Sequence, residues 1–423
     1  MAPTPSKSPT PAPPAPHAVP PGPRPLPLHV ALQTMIWLSA RAALAPLKSG
    51  LLPWRPELAA AAAALREDLG RVDPDAFAGA VDAEACRRLA AFADGVRTYR
   101  RHARRARPAD PPVVWSEGST RLLDYGAGAP AGAGAIPLVV VPSLINRAYI
   151  LDLTEKRSLV RTLAARGFRP FLVDWGAPGA AERAFTLSDY VAGRLEGALA
   201  TAVDLAGRPA GVIGYCMGGL LALALAQRRP DRVAALALMG TPWDFHAGQT
   251  DRIRLLKAMA PQLAMMMEHL GVLPVDVLQT MFASLDPYLT SRKFQRFAAL
   301  DGRSEKARHF VVLEDWLNDG VPLAGPVAHE CLVGWYVENE PARGAWRIAG
   351  RPVLPAEVRA PSLVMIPGTD HIVPPASAAP LADELPRADS RVLGAGHIGM
   401  VAGGRAATIL YGPLARWLTA AMT

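Results

Sequence analysis

Cysteine is scarce: Cys86, Cys216 and Cys331 are the only three in 423 residues. They form no C-x-x-C pair and leave an odd count, which excludes a disulfide framework and an ordinary zinc site and points to a reducing compartment, the cytoplasm. Long apolar runs are also missing. The stretch nearest to a membrane span, Leu28 to Leu47, is broken by His29, Gln33, Ser39, Arg41 and Pro46, whereas a spanning helix needs about 20 mostly apolar residues. It reads as a buried or interfacial segment, so no transmembrane segment is expected. The first thirty residues have no basic start followed by an apolar core, and no secretory signal is expected. The glycines between Gly126 and Ala135 are wrongly spaced for a nucleotide fingerprint and lead into a strand, not a helix.

Acidic residues are outnumbered by basic ones, giving a net charge of +8 and a pI near 9.7. Such a balance attracts nucleic acid, anionic surfaces or phosphate-bearing small molecules. No nucleic-acid motif accompanies it, so no nucleic-acid partner is expected. The densest basic run (Arg97, Arg100, Arg101, Arg104, Arg105, Arg107) reads as a solvated helix face.

What is present divides the chain into three. Residues 1–27 are dominated by Pro and Ala, bury too little to offset chain entropy and are expected to be disordered. Residues 28–110 are Ala-rich and helical in pattern, closed by Pro108. Residues 111–423 hold the catalytic domain, opening with a hairpin around Glu117-Gly118. Apolar runs of strand length follow at Leu138 to Val141, Phe171 to Val173, Val212 to Tyr215, Val233 to Met239 and Leu363 to Ile366. The first four alternate with helical stretches at Leu159 to Arg166, Tyr190 to Leu205 and Gly219 to Gln227. Strands buried on both faces and joined by crossover helices predict a mostly parallel α/β sheet. The interval at about 245–357 is helical and rich in Met and Leu, and reads as a cap. Its apolar stretch, from Met259 through Met265, Met266, Met267 and Leu270 to Leu278, suits a flexible hydrophobic lid.

The chemistry centres on Gly214-Tyr215-Cys216-Met217-Gly218-Gly219, set between an apolar strand and an apolar helix. A nucleophile elbow needs this context: a sharp strand-to-helix turn presents the side chain, and small neighbours let the backbone pass closely. The alternative, a buried structural cysteine, does not call for glycines at −2, +2 and +3. The backbone N–H of Met217, at the helix start, can stabilise an oxyanion. In this fold the acid and then the histidine follow the nucleophile. Asp370 follows the Leu363 to Ile366 strand directly, and His397 follows a strand-like Ser390 to Leu393, which nominates a Cys216–His397–Asp370 triad. His371 is the rival base but adjoins Asp370 and should point elsewhere.

Taken together these stretches resemble the polyhydroxyalkanoate synthase family, especially its short, two-subunit class III members. The resemblance runs through Pro142-Ser143-Leu144-Ile145-Asn146-Arg147, Tyr149 to Leu153, Phe171 to Trp175, the Cys216 elbow, Thr241 to Phe245, Leu313 to Trp316, Asp370 to Pro375 and Gly396 to Gly399. It covers about Val113 to Leu418, in order. Asp174 stands where a small polar residue is usual, and Met217 where the short class often has glutamine. The resemblance implies an α/β-hydrolase fold in which Cys216 carries the growing acyl chain and His397 activates it. Asp370 then assists the incoming hydroxyl, and Leu144 adds a second oxyanion N–H.

The activity so implied is an acyltransferase that polymerises 3-hydroxyacyl-CoA and releases CoA, needing no metal or prosthetic group. Its implied partners are the growing polyester or granule surface and either a homodimer mate or a second synthase subunit. A thioesterase, esterase or polyester depolymerase could run on the same triad. A non-catalytic granule-surface protein is the reading from another class. The N-terminal helices are expected to dock on a granule or partner and contribute little to the chemical step, with residues 1–27 dispensable.

Overall fold

The computed structural model describes residues 22–127, 135–248 and 250–423. Eight strands form the main sheet: β1 (Val113–Glu117), β2 (Thr120–Asp124), β3 (Ile136–Val141), β4 (Phe168–Asp174), β5 (Ala210–Tyr215), β6 (Val233–Met239), β7 (Ser362–Pro367) and β8 (Ala388–Leu393). Their order is β1-β2-β4-β3-β5-β6-β7-β8. The β1–β2 and β2–β4 pairings are antiparallel and the rest parallel. This is the expected α/β-hydrolase architecture. The apolar runs leave no polar face because both faces are covered. Val139, Val141, Val212, Leu236 and Val364 pack to one side, and Leu138, Val140, Ile213, Ala237 and Leu363 to the other.

Three helices precede the sheet: α1 (Leu26–Ser49), α2 (Ala59–Gly70) and α3 (Pro74–Arg101). Within it, α4 (Leu159–Ala164), α5 (Glu196–Ala206) and α6 (Met217–Arg228) make crossovers, α5 continuing a π-helical stretch, Asp189–Leu195. Between β6 and β7 comes the helical insertion: α7 (Thr250–Leu270), α8 (Val275–Ala283), α9 (Leu289–Ala298), α10 (Glu305–Asn318) and further short turns. Two helices, α11 (His397–Ala402) and α12 (Gly412–Met422), close the chain.

Three expectations need correction. Residues 1–21 lie outside the described residues, but the expected disorder through Pro27 fails from Gly22 on. Leu26 opens α1, and the Arg24 backbone N–H donates to Asn318 Oδ1 at 2.9 Å. Proline supplies the preset φ tolerated at a helix start. The basic run is also not one helix face, because α3 ends at Arg101 and the chain then extends. Arg104 reaches Asp315 at 3.1 Å, and the Arg107 guanidinium lies 3.9 Å from the Tyr149 ring centre. Finally, α1 is more open than a buried segment. Only His29 is fully buried, Met35 and Leu38 are exposed, and by length and composition this helix could cross a membrane.

The N-terminal helices are joined to the cap. Gly95 of α3 lies against the Phe294 carbonyl of α9, where any Cβ would collide. Phe92, Val96 and Tyr99 of α3 share a buried cluster with Phe294, Phe297 and Val311. Asp174 also has a local cause: its carboxylate receives Arg121 Nη2 at 2.5 Å and the Gly176 N–H at 3.1 Å.

Candidate active site

Cys216 stands between β5 and α6 with φ 56° and ψ −130°, a left-handed conformation that costs a non-glycine residue roughly 1–3 kcal/mol. The surroundings hold it there: its N–H donates to the Met239 carbonyl and its carbonyl accepts from Gly219 N–H, both at 2.9 Å. The flanking glycines are steric necessities. A Cβ on Gly218 would strike the Val141 and Pro142 carbonyls, and one on Gly219 the Thr241 hydroxyl. Cys331 is buried in the core, its thiol pushed up by burial, and Cys86 is exposed on α3.

The loop after β7 carries Asp370, and the loop after β8 leads into α11, which His397 opens. Backbone bonds tie the two loops together: Gly368 N–H to the Leu393 carbonyl at 2.8 Å and Thr369 N–H to the Ala395 carbonyl at 3.2 Å. His397 Nδ1 lies 2.6 Å from Asp370 Oδ2, and both residues are buried. Asp370 Oδ1 accepts from the Ile372 and Val373 N–H groups at 2.7 and 3.0 Å. Burial works against a charged His397, but negative charge on Cys216 and the hydrogen bond that the imidazole donates to Asp370 outweigh it, so the imidazole is pushed up to about 10. His371 lines the same cavity but is exposed.

This geometry places Asp370 behind the imidazole. Its two oxygens are occupied by the imidazole and two amides, and it does not line the cavity that Cys216 and His397 share. A carboxylate so placed can orient the histidine and can act on an incoming hydroxyl through it.

Tyr215 was not assigned a role from sequence. Its ring stacks on His397 with centres 5.2 Å apart, and its hydroxyl donates to the His397 carbonyl at 3.2 Å. The only signal was an aromatic residue directly before the nucleophile. The loop after β3 is pinned by two indoles, Trp175 Nε1 to the Pro142 carbonyl at 3.0 Å and Trp316 Nε1 to the Arg147 carbonyl at 2.8 Å. Asn146 turns there with φ 68°. The Leu144 side chain enters the core, while Ser143 Oγ takes the Ile145 N–H at 3.0 Å. Met217 opens α6, so its N–H is one of those a helix leaves without an intrahelical acceptor.

The cavity over Cys216 measures about 480 Å³, within the roughly 300–1,000 Å³ of small-molecule sites. Its apolar lining includes Ile145, Phe282, Leu285, Leu289 and Trp316. The methionine-rich stretch nominated as a lid does not line it. Met267, Leu273 and Leu278 pack in the core, while Met259 and Met265 face outward. The roof comes from α8, α9 and α10, and from a strap that sequence reasoning had treated as dispensable. Pro23, Arg24 and His29 line the cavity, and Arg24 Nε is bonded to Asp276. Gly22 abuts the Asn318 side chain so closely that a Cβ would collide with it.

Residues 136–403 match the alpha/beta hydrolase fold family. Among curated proteins, the chain is 30% identical to the poly(3-hydroxyalkanoate) polymerase subunit PhaC of Allochromatium vinosum, over 72% of this chain and 87% of that one. It is 33% identical to the corresponding subunit of Synechocystis, over 67% and 78%. This chain belongs to the poly(3-hydroxyalkanoate) polymerase family, within the α/β-hydrolase fold. It is also 30% identical to the Haloferax mediterranei subunit, over 72% of this chain, but spans only 63% of that relative's length.

Proposed function

We propose that this chain polymerises 3-hydroxyacyl-CoA into a polyester, releasing CoA, through an acyl-thioester on Cys216. The observation that carries the reading is a cysteine, not a serine, on the elbow of a family member, next to the His397–Asp370 pair and under an apolar roof. A serine ester formed from a CoA thioester would lose acyl-transfer potential; a cysteine thioester keeps it for a second hydroxyl.

In the proposed cycle Cys216 reacts as the thiolate, its proton held on His397, and adds to the thioester carbonyl. The oxyanion is held by the Met217 and Leu144 N–H groups. The C–S bond to CoA breaks as His397 returns the proton to the departing thiolate. His397 then takes the proton of a second 3-hydroxyl group, whose oxygen attacks the Cys216 thioester and lengthens the chain. Asp370 keeps the imidazole in the required tautomer throughout. No resident metal or prosthetic group takes part; CoA arrives in the substrate and leaves as product. The reaction is assigned to the cytoplasm at the surface of polymer granules, with a homodimer mate or a second synthase subunit as the assembly partner. A granule-coating protein without catalysis would have no use for a strained cysteine beside a buried His–Asp pair.

Saturated butyryl-CoA separates synthase from thioesterase because its acyl group has no hydroxyl to extend. The expected time course is a burst of one equivalent of CoA with little afterwards, since the largely apolar roof limits the access of water to the intermediate. Steady release of CoA and free butyrate over many turnovers would make the protein a thioesterase and end the polymerase reading.

The strap gives a second expectation. Deleting residues 1–21 should leave the butyryl-enzyme long-lived, whereas deletion through Pro25 removes Arg24 from the roof and should shorten its life several-fold, followed by intact mass. Equal lifetimes in the two truncations would show that the strap does not exclude water.

A further inference from the structure

We infer that the groove between the Arg104–Arg107 stretch and α10 binds the nucleotide end of the acyl-CoA substrate, through its 3′-phosphate and diphosphate. The inference deepens the polymerase reading and rests on it. Behind the roof of the catalytic cavity lies a second cavity of about 620 Å³, lined by Arg104, Arg105, Arg107, Arg121, Arg147 and Arg308. A third, of about 400 Å³, is lined by Arg105, Arg107 and Arg308 together with Lys156 and Arg157. Arg105, Arg107 and Arg308 line both, so the two form one basic groove.

Much of this charge is already spent within the protein. Arg104 pairs with Asp315, Arg121 with Asp174, Arg107 with Asp110, and Arg147 with Asp319 at 3.5 Å. Arg105 and Arg308 have no acidic partner among the described residues; the Arg308 guanidinium reaches only the Arg303 carbonyl. One buried nitrogen on the groove, Nδ1 of His309 in the smaller cavity, has no hydrogen-bond partner among the described residues, while Nε of Arg147 in the larger has only Asp319 at 3.5 Å. Unspent guanidinium charge at Arg105 and Arg308 suits a polyanion, because Arg forks match phosphate oxygens.

The groove is also correctly placed. Arg147 lines both it and the catalytic cavity. α10 forms the wall between them, with Trp316, Leu317 and Asn318 facing Cys216 and Arg308, Val312 and Asp315 facing the groove. Phosphates held at Arg105 and Arg308 would leave the pantetheine arm to pass Arg147 toward Cys216. A lipid headgroup would also satisfy the charges, but a groove that shares Arg147 with the catalytic cavity, one helix away, favours the substrate's own phosphates.

The test compares 3-hydroxybutyryl-CoA with 3-hydroxybutyryl-N-acetylcysteamine, which carries the same thioester without a nucleotide. In the double variant Arg105→Ala, Arg308→Ala, the ratio of kcat/KM for the CoA thioester to that for the short thioester should fall about tenfold or more. Arg105→Lys, Arg308→Lys should restore part of it, and adenosine 3′,5′-bisphosphate should inhibit wild type against the CoA thioester. An unchanged ratio overturns the inference, and so does an equal loss with both thioesters, which would place the damage in the fold. Should wild type use neither thioester, the polymerase reading fails by itself. Calorimetric titration with adenosine 3′,5′-bisphosphate then decides the groove: binding weakened by the double variant upholds it, and no binding overturns it.

Discussion

Cys216→Ala is expected to abolish acyl transfer, a loss on the order of 10⁴-fold or more, with the fold retained. The change removes one sulfur from a residue that only partly faces the cavity. Intact mass after incubation with 3-hydroxybutyryl-CoA should show an acyl adduct on wild type and none on the variant. The backbone offers a control. At φ 56° alanine remains as strained as cysteine, whereas Cys216→Gly should release part of the roughly 1–3 kcal/mol stored there and raise the melting temperature. A glycine variant more stable than wild type yet inactive would show that strain is kept for function. An adduct surviving in Cys216→Ala would move the chemistry to another residue.

The core of this site could be read from sequence because its constraints are local. Glycines at 214 and 218 report where backbone must pass backbone and Gly219 where it must pass the Thr241 side chain, and strand-length apolar runs locate the strand ends that carry Cys216, Asp370 and His397. Val233 to Met239 matched its strand residue for residue. The roof could not be read in this way, because its contacts span long separations and involve ordinary residue types. Asn318 accepts from the Arg24 backbone and Tyr99 meets Asp315 at 2.6 Å, neither with a local pattern. The methionines of α7 show the converse: an apolar cluster fits a lid and a packed helix equally well, and only the fold distinguishes them. Apolar periodicity likewise could not show that the outer face of α1 is left open. The Tyr215–His397 stack was hidden for another reason, since it joins residues 182 positions apart.

His397→Gln and Asp370→Asn should fail at different steps. Removing the imidazole takes away the base bonded to Asp370, so the CoA burst on acylation should slow by about 10²–10⁴-fold. Asp370→Asn leaves the imidazole present but weakly oriented. A free thiol ionises near pH about 8.5 and needs less help than an alcohol, so acylation should stay within about tenfold while transfer to the next hydroxyl falls far more. The acyl-enzyme should therefore accumulate in Asp370→Asn and be absent from His397→Gln, as rapid quench and intact mass would show; equal loss of the burst in both would refute the division. The same pair predicts a pH signature. His397 is pushed up to about 10 by its neighbours, against an ordinary value of about 6.5. Over that interval the folded state holds a proton that the unfolded chain has lost, so this contribution to stability is complete below about pH 6.5 and disappears as pH rises through about 10. Wild type should lose more melting temperature than His397→Gln between pH 7 and 10. Parallel curves for the two would mean that the imidazole does not hold its proton in the folded protein, leaving a neutral histidine to take the Cys216 proton at the start of each turnover.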